Sequence, residues 1–176
     1  MQLNTFSIVA FDPDENAWGV AVASKFLAAA ALVSWARAGA GAVATQSYAK
    51  VGFGPRGLDL LAEGKSASET LAILLADDDK REQRQVGIVD AQGNVAAHTG
   101  SKCHDWAGDK QGTYFSVQGN ILAGSDVLDA MADVYRNAQG ELADRLVTAL
   151  RAADSAGGDK RGKQSAGVLV VKPNGG

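Results

Sequence analysis

Two strand-like runs near the start of the chain constrain its fold more than any other feature. Residues 5–11 are rich in aromatic and β-branched side chains, and residues 18–24 form a second short apolar run. Residues 12–16 between them combine proline with Asp and Asn, which favour turns because proline fixes φ and short polar side chains bond to nearby backbone. The sequence therefore predicts a buried β-hairpin whose second strand ends at Ser24 and Lys25.

Five later segments have the same strand character. Residues 84–89 and 95–99 flank an Asx and glycine turn, which predicts a second hairpin. Further strands are predicted over residues 41–46, 114–118 and 165–171. Residues 26–32 are alanine-rich and fit either a short helix or a strand, because periodicity does not separate the two. Residues 100–112 are polar and irregular, and we expect a loop there.

Helices are predicted in two pairs. Pro55 and Gly64 frame a short helix over residues 57–63, and a capping-box pattern from Ser66 to Glu69 begins the next one. Ser125 can cap a third helix, and residues 141–153 form a fourth with an apolar stripe at helical spacing. The acidic run at residues 77–79 is interpreted as an exposed helix end rather than a metal site.

This order of elements predicts the architecture. A strand block, a helix pair, a strand block, a helix pair and a last strand fit two antiparallel sheets packed face to face with helices outside. We therefore predict an α+β fold, a four-layer αββα sandwich, with a simpler α+β layer as the alternative. No linker divides the chain, so we expect one domain over residues 1–172 and a flexible tail over residues 173–176.

Composition excludes several classes of protein. The net charge of -3 and the lack of a long basic cluster argue against binding to nucleic acid or to an anionic membrane surface. A single cysteine gives no internal disulfide, and the first residues lack the pattern of a signal peptide. The most apolar window, residues 18–35, is interrupted by polar residues. We expect a cytoplasmic protein.

Thr5 is the first candidate for chemistry, because it begins the first strand close to the N-terminus. A threonine freed at the N-terminus supplies a nucleophile and a base together, since a free α-amino group has an unperturbed pKa of about 7.7 to 8. Lys25, at the end of the neighbouring strand, is placed to lower that pKa or to orient the hydroxyl. The alternative is that Thr5 simply starts an edge strand.

Other reactive residues offer weaker patterns. Ser24 and Lys25 resemble a serine/lysine pair, but adjacent strand residues point to opposite faces. Cys103 is a possible nucleophile, although a lone cysteine is inert unless its thiolate is stabilised. Together with His98 and His104 it matches no zinc spacing, and we predict no metal site.

A glycine-rich stretch, residues 157–167, is the segment least explained by folding. Its glycines allow tight turns, and Asp159, Arg161 and Ser165 offer polar groups just before a buried strand. The glycine spacing does not match a phosphate-binding loop. The segment is either a solvated loop after a helix or part of the lining of a site.

Several motifs in register resemble one family. They are TFSIVA at 5–10, GVAVASK at 19–25, WARAG at 35–39, GAVATQ at 41–46, GPRGL at 54–58, QGN at 118–120 and GGDKRGKQSA at 157–166. Together they resemble the bacterial family called domain of unknown function 1028 (DUF1028) from residue 5 to about residue 171. That family in turn resembles the N-terminal nucleophile (Ntn) hydrolases, which implies an αββα sandwich.

The resemblance also implies an activity and its residues. The chain would be an amidohydrolase acting on a small-molecule amide or peptide bond, without a cofactor and as a homo-oligomer. Thr5 would be the nucleophile, Lys25 an activating group and Asn120 a donor to the oxyanion. The residues expected near the substrate are Ser24, Gln46, Asp159, Arg161 and Ser165.

The start of the chain departs from the family pattern. Relatives commonly place the threonine directly after the initiator methionine, whereas Gln2, Leu3 and Asn4 intervene here. The expected chemistry then requires cleavage of the Asn4–Thr5 bond, because an uncut chain has no free amine at Thr5. Two other hypotheses are a non-catalytic binding or assembly protein with the same fold, and an enzyme with Cys103 as nucleophile.

Overall fold

A computed structural model describes residues 2–3 and 5–175 of the chain, and of residues 2 and 3 it describes the backbone. The elements follow in the order β1 (Gln2–Leu3), β2 (Thr5–Asp12), β3 (Ala17–Ser24), α1 (Ala30–Val33), β4 (Ser34–Arg37), β5 (Gly41–Tyr48), α2 (Phe53–Ala62), α3 (Ala67–Ala76), a 3-10 turn (Arg81–Gln83), β6 (Arg84–Asp90), β7 (Val95–Thr99), β8 (Gly108–Gly112), β9 (Phe115–Gly119), α4 (Asp126–Asn137), α5 (Leu142–Ser155) and β10 (Ser165–Val171).

The strands form two antiparallel sheets. The first sheet has the order β10-β3-β2-β9-β8, and the predicted hairpin at its centre pairs Thr5 with Ser24. In the second sheet the order is β1-β5-β6-β7, with β4 also paired to β5. Both predicted hairpins are therefore confirmed, and β2 lies inside its sheet. The alternative interpretation of Thr5 as the start of an edge strand is wrong.

Three apolar clusters define the layers. One joins the first sheet to α4 and α5 and includes Phe6, Ile8 and Leu146. Another joins the second sheet to α2 and α3, and the third lies between the sheets, where Val9 is one of its members. The predicted four-layer αββα sandwich is confirmed.

This layering explains why both faces of β2 are buried. Phe6 and Ile8 belong to the helix-side cluster, whereas Val9 belongs to the cluster between the sheets. Because both faces of the strand are covered, every residue from Thr5 to Asp12 is buried. Residues 5, 7 and 9 therefore face the second sheet, which places Thr5 in the layer between the sheets.

Some predicted elements differ from the structure. Residues 108–112, expected in a loop, form β8, because the polar sequence GDKQG pairs along β9. Ser125 does not cap α4: its backbone is already helical and its side chain makes no capping bond. By contrast, the capping box of Ser66 and Glu69 is present, and Gly64 has a left-handed φ of +87° after α2.

The acidic run after α3 is only partly exposed. Asp78 is buried, and its carboxylate accepts a 2.6 Å hydrogen bond from Nε of Arg84. That bond is the main reason that the pKa of Asp78 lies below its ordinary value. The prediction of an exposed helix end is therefore wrong for Asp78, which joins α3 to β6. Among the described residues, no helix has the length and apolar character needed to cross a membrane.

Candidate functional site

Thr5 is held from three directions in the layer between the sheets. Its hydroxyl donates a 3.2 Å hydrogen bond to the hydroxyl of Ser24 on β3. Its carbonyl oxygen accepts from the backbone N–H of Asn120 at 3.0 Å and lies 3.4 Å from Nε2 of Gln46. Thr5 and these neighbours have no exposed surface. The structure therefore brings four of the predicted site residues together.

Gln46 connects the two sheets at this point. Its Oε1 accepts a 2.6 Å hydrogen bond from the hydroxyl of Ser7 on β2. Its Nε2 reaches the carbonyl oxygens of Thr5 and Gln118 in the first sheet and Oε1 of Gln85 in the second. A single amide group thus fixes the position of the Thr5 backbone relative to the second sheet.

Gln85 on β6 organises the other side of the site. Its Oε1 accepts from Nε2 of Gln46 at 2.8 Å and from Nδ2 of Asn120 at 2.9 Å. Its Nε2 lies within 3.0 Å of Oγ1 of Thr99 and of the carbonyl oxygen of Gly108, and 2.8 Å from that of Gly119. These partners determine which end of the Gln85 amide is oxygen, since only an acceptor can receive two N–H groups.

A third glutamine completes this buried cluster. Nε2 of Gln118 donates to the hydroxyl of Ser7 at 2.7 Å, and its Oε1 accepts from Ser116 at 3.0 Å. A Cβ atom at position 87 would lie 2.2 Å from Oε1 of Gln118, so Gly87 provides the space for this side chain. We refer to Ser7, Gln46, Gln85, Gln118 and Asn120 as the buried amide network.

Asn120 has one unused acceptor in this network. Its Nδ2 donates to Gln85, whereas its Oδ1 is buried without a hydrogen-bond partner among the described residues. Burying a carbonyl oxygen without a donor costs about 1–3 kcal/mol. Asn120 can therefore make two more hydrogen bonds beside Thr5, one accepted by Oδ1 and one donated by the second N–H of its amide.

Lys25 lies at the end of β3 but outside this cluster. Its side chain is exposed, and no described residue pairs with its ammonium group. Its backbone N–H lies 3.3 Å from Oδ2 of Asp159. Ser24, one position earlier, is the residue that contacts Thr5. The structure thus places Lys25 near the site without bringing its side chain onto the Thr5 hydroxyl.

The glycine-rich stretch after α5 folds against the same end of β3. Asp159 is buried and accepts from Nε and Nη2 of Arg161 at 3.0 and 2.6 Å. The hydroxyl of Ser165 donates to the carbonyl of Phe26 at 2.7 Å and accepts from the N–H of Ala29 at 3.0 Å. Asp159 and Ser165 therefore fix the loop that follows Lys25.

A cleft of about 510 Å³ lies between α5 and β10. Its lining includes Ala23, Leu150, Gln164 and Val168, and it is mainly apolar. Ala23 belongs to the helix-side cluster, whereas Ser24 contacts Thr5 in the layer between the sheets. The cleft therefore opens on the face of the first sheet opposite to Thr5.

Cys103 and the two histidines are separate from Thr5. Burial raises the pKa of the Cys103 thiol, which donates to the carbonyl of Arg84 at 3.3 Å. His104 contacts the hydroxyl of Tyr48 at 3.2 Å, whereas His98 contacts the carbonyl of Arg81 at 2.9 Å. Within residues 2–3 and 5–175, no cluster of three His, Cys, Asp or Glu side chains is arranged to hold a metal ion.

Sequence reasoning missed Ser7, Gln85 and Gln118. Each lies in a strand whose other residues are mostly apolar, and each is wholly buried. A polar residue inside a buried strand was the available signal, because such a residue needs a hydrogen-bond partner. The sequence does not reveal that these positions, on three different strands, meet one another.

Comparison with known proteins identifies the family. Residues 5–175 match the family model of DUF1028, described as a family of unknown function. The crystal structure of protein SPO2555 from Silicibacter pomeroyi, also assigned to DUF1028, is similar with a TM-score of 0.92 and 33% sequence identity. The alignment covers 98% of this chain and 75% of that one. None of the curated proteins matches the sequence. The chain therefore belongs to the DUF1028 family.

Proposed function

We propose that this protein is an Ntn-type amidohydrolase in which Thr5, freed by cleavage of the Asn4–Thr5 bond, is the nucleophile. The observation that carries the proposal is the environment of Thr5. It begins the central strand of the first sheet and faces the layer between the sheets. Its hydroxyl bonds to Ser24, and its carbonyl is held by Asn120 and Gln46. The match to the family also begins at residue 5.

Cleavage and catalysis would use the same hydroxyl. In the cleavage, Oγ1 of Thr5 attacks the carbonyl carbon of Asn4, the C–N bond breaks, and the hydroxyl proton passes to the departing nitrogen. Water then hydrolyses the resulting ester, which leaves a carboxylate at Asn4 and frees the hydroxyl of Thr5 beside its new amine. In turnover that amine accepts the hydroxyl proton as Oγ1 attacks a substrate amide, and it then protonates the leaving amine. Water hydrolyses the acyl ester that remains on Thr5, which releases the acid and restores the hydroxyl.

The neighbouring residues receive different roles in this proposal. Asn120 can donate its second side-chain N–H to the developing oxyanion while its first remains on Gln85. Ser24 orients the Thr5 hydroxyl, and Lys25 acts through its positive charge, which favours the neutral form of a nearby amine. Gln46, Asp159 and Ser165 position backbone near the substrate, and the partly exposed Arg161 can contact it.

Intact-mass spectrometry of the purified protein tests the proposal. We expect the wild type and Thr5→Ser to begin at residue 5, whereas Thr5→Ala keeps the residues before it. Release of ammonia from a panel of small primary amides should be seen with the first two proteins and lost with the third. Circular dichroism of Thr5→Ala controls for folding. Activity in an uncut wild type that survives Thr5→Ala would remove threonine from the mechanism.

A second candidate is a non-catalytic binding or assembly protein. The observation in its favour is that Thr5 has no exposed surface, so a substrate does not reach its hydroxyl in the uncut chain. This candidate predicts a full-length mass and no amide hydrolysis. Light scattering would test the homo-oligomer expected in either case, with a monomer at working concentration as the opposing result.

A further inference from the structure

The chain changes sheets immediately before Thr5. β2 lies in the first sheet, whereas β1 pairs antiparallel with β5 of the second, with Gln2 opposite Tyr48 and Leu3 opposite Ser47. The backbone of residues 2 and 3 is therefore an extended strand docked on β5. In the proposed cleavage, this docked strand is the acyl portion of the amide that Thr5 attacks.

β1 pairs with a short section of the β5 edge that β4 does not cover. One edge of β5 is paired with β6 from Gly41 to Ser47. The other edge is covered by β4 from Gly41 to Ala44 and by β1 at Ser47 and Tyr48. Without β1, the part of this edge beyond Ala44 would present unpaired backbone groups, which bind extended peptides readily.

The backbone of Ser47 is unusual at this edge. Its φ is +66°, in the left-handed region that a residue with a side chain adopts at a cost. Its buried hydroxyl lies beside the thiol of Cys103 and lowers the pKa of that thiol, against the larger effect of burial. Backbone strain of this kind is concentrated at binding sites, because the surrounding structure maintains it.

We infer that the β5 edge at Ser47 and Tyr48 is a subsite for the acyl side of a peptide substrate, which binds there as an added antiparallel strand. The inference rests on the proposed function, since release of β1 exposes the edge. Both the cleaved segment and a substrate donate their acyl group to the same Oγ1, so they follow the same path away from it. The substrate class that gains from this subsite is accordingly an extended peptidyl amide, whereas a compact amide reacts without it.

The register defines how long such a substrate must be. The residue that supplies the scissile carbonyl corresponds in sequence to Asn4, which precedes Thr5. The residue before it takes the position of Leu3, opposite Ser47, and the one before that lies opposite Tyr48. Three residues on the acyl side therefore use the whole subsite, and the two farther from the scissile bond contribute backbone hydrogen bonds.

Three fluorogenic anilides test this inference on the purified wild-type protein, whose mass is recorded first. The full probe is acetyl-Gln-Leu-Asn-anilide, and the short probe is acetyl-Asn-anilide. The matched control has the full sequence with N-methyl groups on the Gln and Leu amides, which keeps the side chains and removes the backbone donors. We expect kcat/KM for the full probe to exceed that of the short probe about tenfold or more, and N-methylation to abolish the gain.

The outcomes separate the two proposals. A protein that begins at Thr5 and cleaves all three probes at equal kcat/KM overturns the subsite while leaving the hydrolase intact. Equal cleavage of the full and N-methylated probes, both faster than the short one, assigns the gain to side chains and also overturns it. A full-length protein that cleaves none of the probes overturns the proposed function, and the subsite fails with it.

Discussion

Replacing Gln85 by leucine should destabilise the protein by about 3 kcal/mol. Leucine has a similar volume but neither receives nor donates hydrogen bonds. Gln46 would keep its contacts with the carbonyl oxygens of Thr5 and Gln118, and Thr99 would keep its 2.7 Å bond to Asp109. Asn120 would lose the acceptor for its Nδ2, and the carbonyl oxygens of Gly108 and Gly119 would lose a donor.

The magnitude follows from counting these groups. An unsatisfied buried polar group costs about 1–3 kcal/mol, and the gain from burying a leucine in place of an amide offsets part of the total. Asn120 is affected most, because its Oδ1 already has no partner among the described residues. About 3 kcal/mol is a large fraction of the 5–15 kcal/mol by which proteins are ordinarily stable.

Urea unfolding with linear extrapolation measures the effect. Gln92→Leu makes the same chemical change at an exposed turn residue, and it should alter the free energy of unfolding by less than about 0.5 kcal/mol. In a double-mutant cycle, Asn120→Leu combined with Gln85→Leu should cost less than the sum of the single changes, because the orphaned amide is removed. A Gln85→Leu protein as stable as the Gln92→Leu control would refute the role of Gln85, and strict additivity would refute the coupling.

Three more predictions concern other parts of the molecule. Arg84 holds the pKa of the Asp78 carboxyl below its ordinary value. The stability from this pair is therefore present above about pH 4, the unfolded pKa, and is lost as pH falls through the folded pKa. Between pH 2 and 7 the free energy of unfolding should fall less steeply with acid for Asp78→Asn than for the wild type, and an unchanged pH dependence would contradict this. Burial raises the pKa of Cys103, so its alkylation at pH 8 should be at least about tenfold slower in the native than in the denatured protein, and Cys103→Ser should leave any amide hydrolysis unchanged. Ser66→Ala removes the capping box of α3 and should cost about 1 kcal/mol, or roughly 2–4 °C in Tm, whereas Ser68→Ala in the exposed first turn should not.

The sequence is most informative where local chemistry and tertiary position agree. The run at residues 5–11 carries β-branched and aromatic side chains, and these fit a strand that is covered on both faces. Glu69 follows Ser66 at capping-box spacing, and both reciprocal bonds form. From such segments the order of layers followed, because it was the arrangement that buried every apolar face.

Elements that depend on a distant partner were not predictable. β8 has the sequence GDKQG, which has low intrinsic strand propensity, and it is a strand because Gly108 to Gly112 pair with β9. β1 and β4 are likewise short and are defined by pairing with β5. At the site, Thr5 was identified by its position near the N-terminus and Gln46 through a motif, whereas Gln85 became recognisable only when its position beside Asn120 was known.

The open edge of β10 has a consequence for how the protein behaves in concentrated solution. β10 ends the first sheet, carries no charged residue from Ser165 to Val171, and exposes 39% of Val168. Uncharged apolar segments of this length at a sheet edge are sites where protein aggregation starts. Lys163 and Lys172 flank the segment and form ion pairs with Asp154 and Glu15, and charged groups beside an apolar strand oppose its edge-to-edge stacking on another molecule. We therefore expect that neutralising these two lysines would lower the concentration at which the folded protein precipitates.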